Sequence, residues 1–190
     1  MPPAIYKFGH LDAAQQDIEF QYSNCWALEK TSGPDRMVIA PAAGSVTIIE
    51  QLATVMKPPF GVLYVLVVPR NGSAERGRYQ SPSPVSQEEL HSFLRQFRNF
   101  FEKDGRHHLW VGSADKSSLL VYDRHDVIYA YGPIEPFRNV LERNGVREND
   151  VVRLPVPHTH HYNAEFDEEE KRLLAYWPWK AFPLQEMDEQ

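Results

Sequence analysis

The segment Gly61-Val-Leu-Tyr-Val-Leu-Val-Val-Pro69 is the strongest constraint on the fold. It is apolar from end to end, rich in β-branched residues and closed by a proline. Such a run reads as a strand covered on both faces, and therefore central in its sheet. At about half the ~20 residues that a membrane-crossing helix requires, it is a core element and not a span. A strand of this kind needs other layers to cover it. A chain of 190 residues with 42% hydrophobic and 24% charged residues supplies them within one domain, 1–190, and is not disordered.

Upstream, Asp17–Glu29 alternates, with Ile18, Phe20, Tyr22, Trp26 and Leu28 on one face and Asn24 interrupting it. Period 2 with aromatic content predicts a half-buried strand. Met37–Ala40 predicts a second. Thr47 and Glu50 have capping-box spacing ahead of a helix that Pro58-Pro59 ends. Downstream, Arg70–Pro84 reads as a long polar loop. Ser86 and Glu89 then open a helix whose face is Leu90, Phe93, Leu94, Phe97, Phe100 and Phe101, with Gly105 as a left-handed stop. Strands follow at 108–112, 118–122 and 127–131, the last two joined as a hairpin by Asp123–Asp126. Pro133 or Pro136 opens a helix that ends before Gly145. Asp150–Val156 reads as a strand, and a last helix covers Asp167–Trp177.

Hairpins mixed with crossover helices give an α+β class: a mainly antiparallel or mixed sheet with three to four helices. A ferredoxin-like, split βαβ core with an added hairpin accommodates the order. Residues 186–190 read as a flexible acidic tail.

With 20 basic and 26 acidic residues the formal charge is −6, which argues against a nucleic-acid binder. One cysteine, Cys25, allows no internal disulfide and no multi-cysteine zinc site, and the thiol reads as a small buried hydrophobe. The beginning of the chain has no secretory pattern, and no segment is apolar enough for a membrane, so a cytoplasmic protein is expected.

Three patches carry candidate chemistry. His158, His160 and His161 fall in His158-Thr-His-His161, beside a run of carboxylates. Imidazoles of this kind bind divalent transition metals, the one cofactor the sequence suggests. In an extended segment His158 and His160 share a face while His161 points away, so two ligands are supplied where catalytic zinc takes three. His107-His108 and Asp123-Arg-His-Asp126 also place imidazoles beside carboxylates. Aspartate turn chemistry accounts for the second. Were the sheet to bring His125 or His108 beside the His158 segment, a composite site would form.

Arg70, Arg76 and Arg78 lie with two glycines in the only net-positive third of the chain and suit a small anion, although no phosphate-loop motif is present. Tyr176, Trp177, Trp179 and Phe182 concentrate aromatic surface that needs cover, either from the domain itself or from a homodimer or other protein partner. The chain also lacks HExxH and GxSxG. The expected function is therefore a non-catalytic binding or accessory domain acting through protein or small-anion contacts. The alternative is a small metal-dependent hydrolase using His158 and His160.

Overall fold

A computed structural model describes residues 5–70, 72 and 74–189. The chain runs β1 (Phe8–Leu11), β2 (Asp17–Glu19), β3 (Cys25–Glu29), β4 (Arg36–Ala40), α1 (Ser45–Ala53) and β5 (Phe60–Leu66). It continues through β6 (Gly77–Gln80), α2 (Gln87–Gln96), α3 (Arg98–Lys103), β7 (His107–Ser113), β8 (Leu119–Tyr122) and β9 (Ile128–Tyr131). It ends with α4 (Ile134–Arg143), β10 (Arg147–Glu148), β11 (His158–His160), α5 (Asp167–Tyr176) and β12 (Lys180–Phe182). No helix among the described residues is long and apolar enough to cross a membrane.

The class is α+β. Nine strands form one sheet in the order β10-β3-β4-β9-β8-β7-β5-β6-β12, antiparallel throughout except where β10 joins β3. A split βαβ core has a single strand between its helix-linked parallel strands. Here β4 and β5, linked by α1, have three strands between them, so this order is not the ferredoxin-like one expected.

β5 is interior, between β7 and β6, as its composition requires. Its Phe60, Val62, Tyr64 and Leu66 enter the main core beneath apolar residues of α1 to α5. Gly61 and Leu63 on its other face are only half covered while Val65 on that face is buried, so the face is partly open where two covered faces were predicted.

The capping box at Ser86 and Glu89 forms in both directions. The helix it opens divides at Phe97, whose φ of −106° leaves the helical region, so five α-helices appear among the described residues where three to four were predicted. The core phenylalanines stay on one face across the break. At α1 the predicted cap is absent. Gly44 at φ 71° turns the chain, and the Glu102 carboxylate accepts the Val46 amide at 2.8 Å. Glu50 instead lies buried against Arg95 and Arg98.

Asn24 breaks the predicted 17–29 strand in two. It adopts φ 58°, a conformation asparagine tolerates, and its side chain ties Gly145 and Ala42 to the corner. The predicted 70–84 loop contains β6. The predicted 150–156 strand is irregular, with Val152 and Leu154 packed on a satellite cluster around Phe8 and Tyr22. Residues 186–189 are not a free tail, since Asp188 is buried and pairs with Arg78. Gln190 lies outside the described residues.

A second, three-stranded sheet, β11-β1-β2, docks on the end of α3. The buried Lys7 ammonium donates to the Phe101 carbonyl at 3.1 Å and lies over the Tyr122 ring. The Gly105 amide donates to the His161 carbonyl at 2.8 Å. A Cβ at Gly105 would meet the Lys7 carbonyl at 2.8 Å, so close approach, not a left-handed stop, requires glycine there. This docking carries β11 to the turn between β8 and β9.

Candidate metal centre

That turn is the predicted hairpin. Asp123 Oδ1 accepts the backbone amides of His125 at 2.9 Å and Val127 at 3.1 Å, which is the expected aspartate turn chemistry. It also aims a side chain: Asp123 Oδ2 lies 2.8 Å from His125 Nδ1.

Opposite the turn, the histidine segment is a strand. β11 pairs antiparallel with β1, setting His160 against Phe8 and His158 against His10. The period of 2 puts His158 and His160 on one face. His161 faces elsewhere, its Nε2 3.0 Å from Asp17 Oδ2. The third imidazole of the cluster is therefore His125 and not His161. His125, His158 and His160 each offer a nitrogen within 4.8 Å of the other two. Their ring centroids are 4.9–5.3 Å apart, with Phe8 as a common floor 5.4–5.7 Å from all three.

The hydrogen bonds leave one ring nitrogen available on His125 and on His158. Nδ1 of His125 is occupied by Asp123, and Nδ1 of His158 meets the Pro155 carbonyl at 3.1 Å. Each arrangement turns Nε2 into the free lone pair, the second-shell pattern of metal-bound histidine. His160 Nδ1 is buried with no hydrogen-bond partner among the described residues. Burial, followed by the nearby charges of Arg124, His125 and His158, holds the His160 imidazole down to about 3, so it is neutral near pH 7. Burial pushes the Asp123 carboxyl up, but the hydrogen bond and charge of His125 outweigh it, and the group lies below its usual range. Tetrahedral zinc places its nitrogens about 3.4 Å apart, inside the 4.8 Å within which the three imidazoles each offer a nitrogen.

His125 and Asp123 also line a cleft of about 520 Å³ with His108, Trp110, Tyr129 and Tyr131. It occupies the open face of the large sheet and has the volume of a small-molecule site.

The other candidates lie elsewhere. Arg70 is buried, and its guanidinium reaches Asp104, Asp167 and Glu170, so protein carboxylates already occupy it. Arg78 is held by Asp188, and Arg76 is exposed just before β6. Tyr176 and Trp177 pack on Phe93, with Trp177 stacked at 4.6 Å, and Trp179 follows at 5.9 Å while donating to the Leu173 carbonyl. These three aromatics cover their own domain. Phe182, on edge strand β12, remains exposed. Cys25 is buried.

His125 completes the candidate cluster, and the turn chemistry that accounts for Asp123 gave the sequence no local reason to favour it as a ligand. No family model, curated protein or solved structure matches the chain, so the chemistry of the site rests on its own geometry.

Proposed function

We propose that this protein is a small metal-dependent hydrolase whose ion is held by His125, His158 and His160. The observation that carries the proposal is the convergence of three imidazole nitrogens from two separate segments within 4.8 Å. All-imidazole ligation suits zinc, and three protein ligands leave a coordination position free, as catalytic zinc sites do. A bound ion would acidify a water molecule and polarise a substrate carbonyl or phosphoryl oxygen.

The chain's own residues supply the rest. His125 Nδ1 gives its hydrogen to Asp123, which fixes the tautomer and presents Nε2. His158 does the same through the Pro155 carbonyl. Phe8 keeps water from beneath the three rings. Trp110, Tyr129 and Tyr131 supply apolar walls beside His125 for the body of a substrate.

The non-catalytic binding reading, with a homodimer or protein partner, draws its support from the half-covered apolar sheet face. Arg70 and the C-terminal aromatics, whose surfaces are engaged within the chain, lend it little. Either reading suits a cytoplasmic protein with one buried free thiol and no nucleic-acid partner.

Tag-free protein should bind about one equivalent of zinc or cobalt per chain, with cobalt giving the intense visible bands of tetrahedral coordination. The His158→Ala and His160→Ala variants should lose the ion and the bands while remaining folded. Parent protein that stays metal-free at micromolar zinc, or variants that bind as the parent does, would overturn the assignment.

A further inference from the structure

Gly61 on β5 and Gly112 on β7 are direct partners across their antiparallel ladder. Glycine within a strand is destabilising relative to alanine and often marks a place where another group approaches the backbone closely. Gly9, Gly77 and Gly105 have such a group: a Cβ at each would meet a backbone oxygen closer than 3 Å. The cross-strand pair has none. A Cβ at Gly61 would find nothing within 4 Å, and one at Gly112 would make ordinary contact with Leu119 at 3.4 Å. Neither residue adopts a positive φ.

What the missing side chains leave is space. The two glycines form the floor of a cleft of about 480 Å³ on the open face of the sheet, walled by Leu63, Trp110, Leu119 and the Pro82–Pro84 turn. Among its lining residues Lys116 is the one charged side chain, and there is no carboxylate, in a chain whose net charge is −6. The neighbouring Asp115 is held by Lys57 at 2.9 Å, so it leaves Lys116 available.

We propose that this cleft binds a flat aromatic monocarboxylate. The ring lies on the backbone bared at Gly61 and Gly112, its edges against Trp110 and Leu119, and the carboxylate reaches the Lys116 ammonium. The cleft shares Trp110 and Leu119 with the one beside His125 but uses none of the three histidines. It stands whether or not the protein holds a metal.

The test is calorimetric titration of the full chain with 2-naphthoate and 2-naphthamide in the presence of a chelator, so that metal coordination contributes nothing. One site per chain is expected, with the acid binding more tightly than the amide. Gly61→Val should keep or raise the thermal midpoint, because a β-branched residue replaces glycine in open space, and should weaken naphthoate at least tenfold. Lys116→Gln should remove the preference for the acid and leave the amide unchanged. If valine impairs folding, Gly61→Ala gives the same readout, with a loss of about threefold or more. Naphthoate that fails to bind the parent, or that binds folded Gly61→Val or Gly61→Ala as it binds the parent, would overturn the proposal. Acid and amide binding equally would overturn the carboxylate assignment. Light scattering that finds the parent dimeric and Gly61→Val monomeric would give the face to a second copy of the chain and overturn the small-molecule site.

Discussion

Asp123 holds His125 from two directions: one carboxylate oxygen accepts its backbone amide at 2.9 Å and the other meets its ring Nδ1 at 2.8 Å. The same side chain that closes the β8–β9 turn thus selects the imidazole tautomer. Local turn chemistry and site chemistry share one residue, and the two uses can be separated by substitution.

Asp123→Asn is the substitution that separates them. An amide oxygen can still accept the backbone hydrogens of His125 and Val127, so the turn should survive. The amide nitrogen then faces Nδ1 as a donor, which favours the opposite tautomer and places a hydrogen on Nε2. Zinc affinity should fall about 10- to 100-fold, the usual consequence of losing a second-shell carboxylate. Competition against a chromophoric chelator reads the affinity, and circular dichroism checks the fold. Unchanged affinity would show that Asp123 acts only in the turn.

A second expected outcome concerns Arg70, which suits an anion site in sequence and forms the centre of an ion cluster in the fold. Its side chain is 5% exposed, and those of its partners Asp104 and Glu170 are fully buried. Burial pushes the Asp104 carboxyl up to about 6 against the pull of Arg70. Arg70→Met takes the guanidinium away from two buried carboxylates and should cost about 3–5 kcal/mol near neutral pH. The variant's folded state then holds a proton on Asp104 more tightly than its unfolded state does. Its deficit should therefore be largest at alkaline pH and shrink as the pH falls toward 5. Urea unfolding of parent and variant at pH 8 and pH 5 measures both; a deficit independent of pH would show that packing, not charge, is lost.

Arg70 also illustrates what the sequence conveys about this chain and what it does not. Signals that act within a few residues were legible. The Ser86–Glu89 box, the phenylalanine face behind it, the Asp123–Asp126 hairpin and the apolar β5 all appear, because capping, periodicity and turn chemistry are local. Elements whose partners lie far along the chain were not. β11 is a strand because β1, some 150 residues earlier, offers it a ladder, and β6 exists in a polar segment because it lies between β5 and β12. The candidate site follows the same division. The shared face of His158 and His160 is a property of extended backbone, whereas the arrival of His125 depends on docking between two sheets. The partners of Arg70 are equally remote: Asp104 is in the α3–β7 connection and Glu170 on α5.

A third expected outcome turns on His107, which is buried in the main core with neither ring nitrogen hydrogen-bonded among the described residues and its ring stacked on Phe100 at 4.5 Å. Burial, then the charges of Lys7, His108 and Arg70, hold its imidazole well below the ordinary range; burial takes the neighbouring His108 down to about 4. Both rings are neutral in the folded protein, while in the unfolded chain they take up a proton near pH 6.5. The unfolded state therefore binds more protons once the pH drops below 6.5, so the stability present above that value is progressively lost toward pH 4. His107→Leu removes one of these protonations and two unpartnered buried nitrogens while keeping an apolar side chain in place. Between pH 7 and pH 5 the variant should lose roughly 2 kcal/mol less stability than the parent, about 1.4 kcal/mol for each pH unit below 6.5. At pH 7 its stability should match or exceed that of the parent, since an unsatisfied polar group is costly to bury. Urea midpoints across pH 4.5–8 provide the comparison, and acid limbs of equal slope would show that His107 is not one of the groups that take up a proton on unfolding.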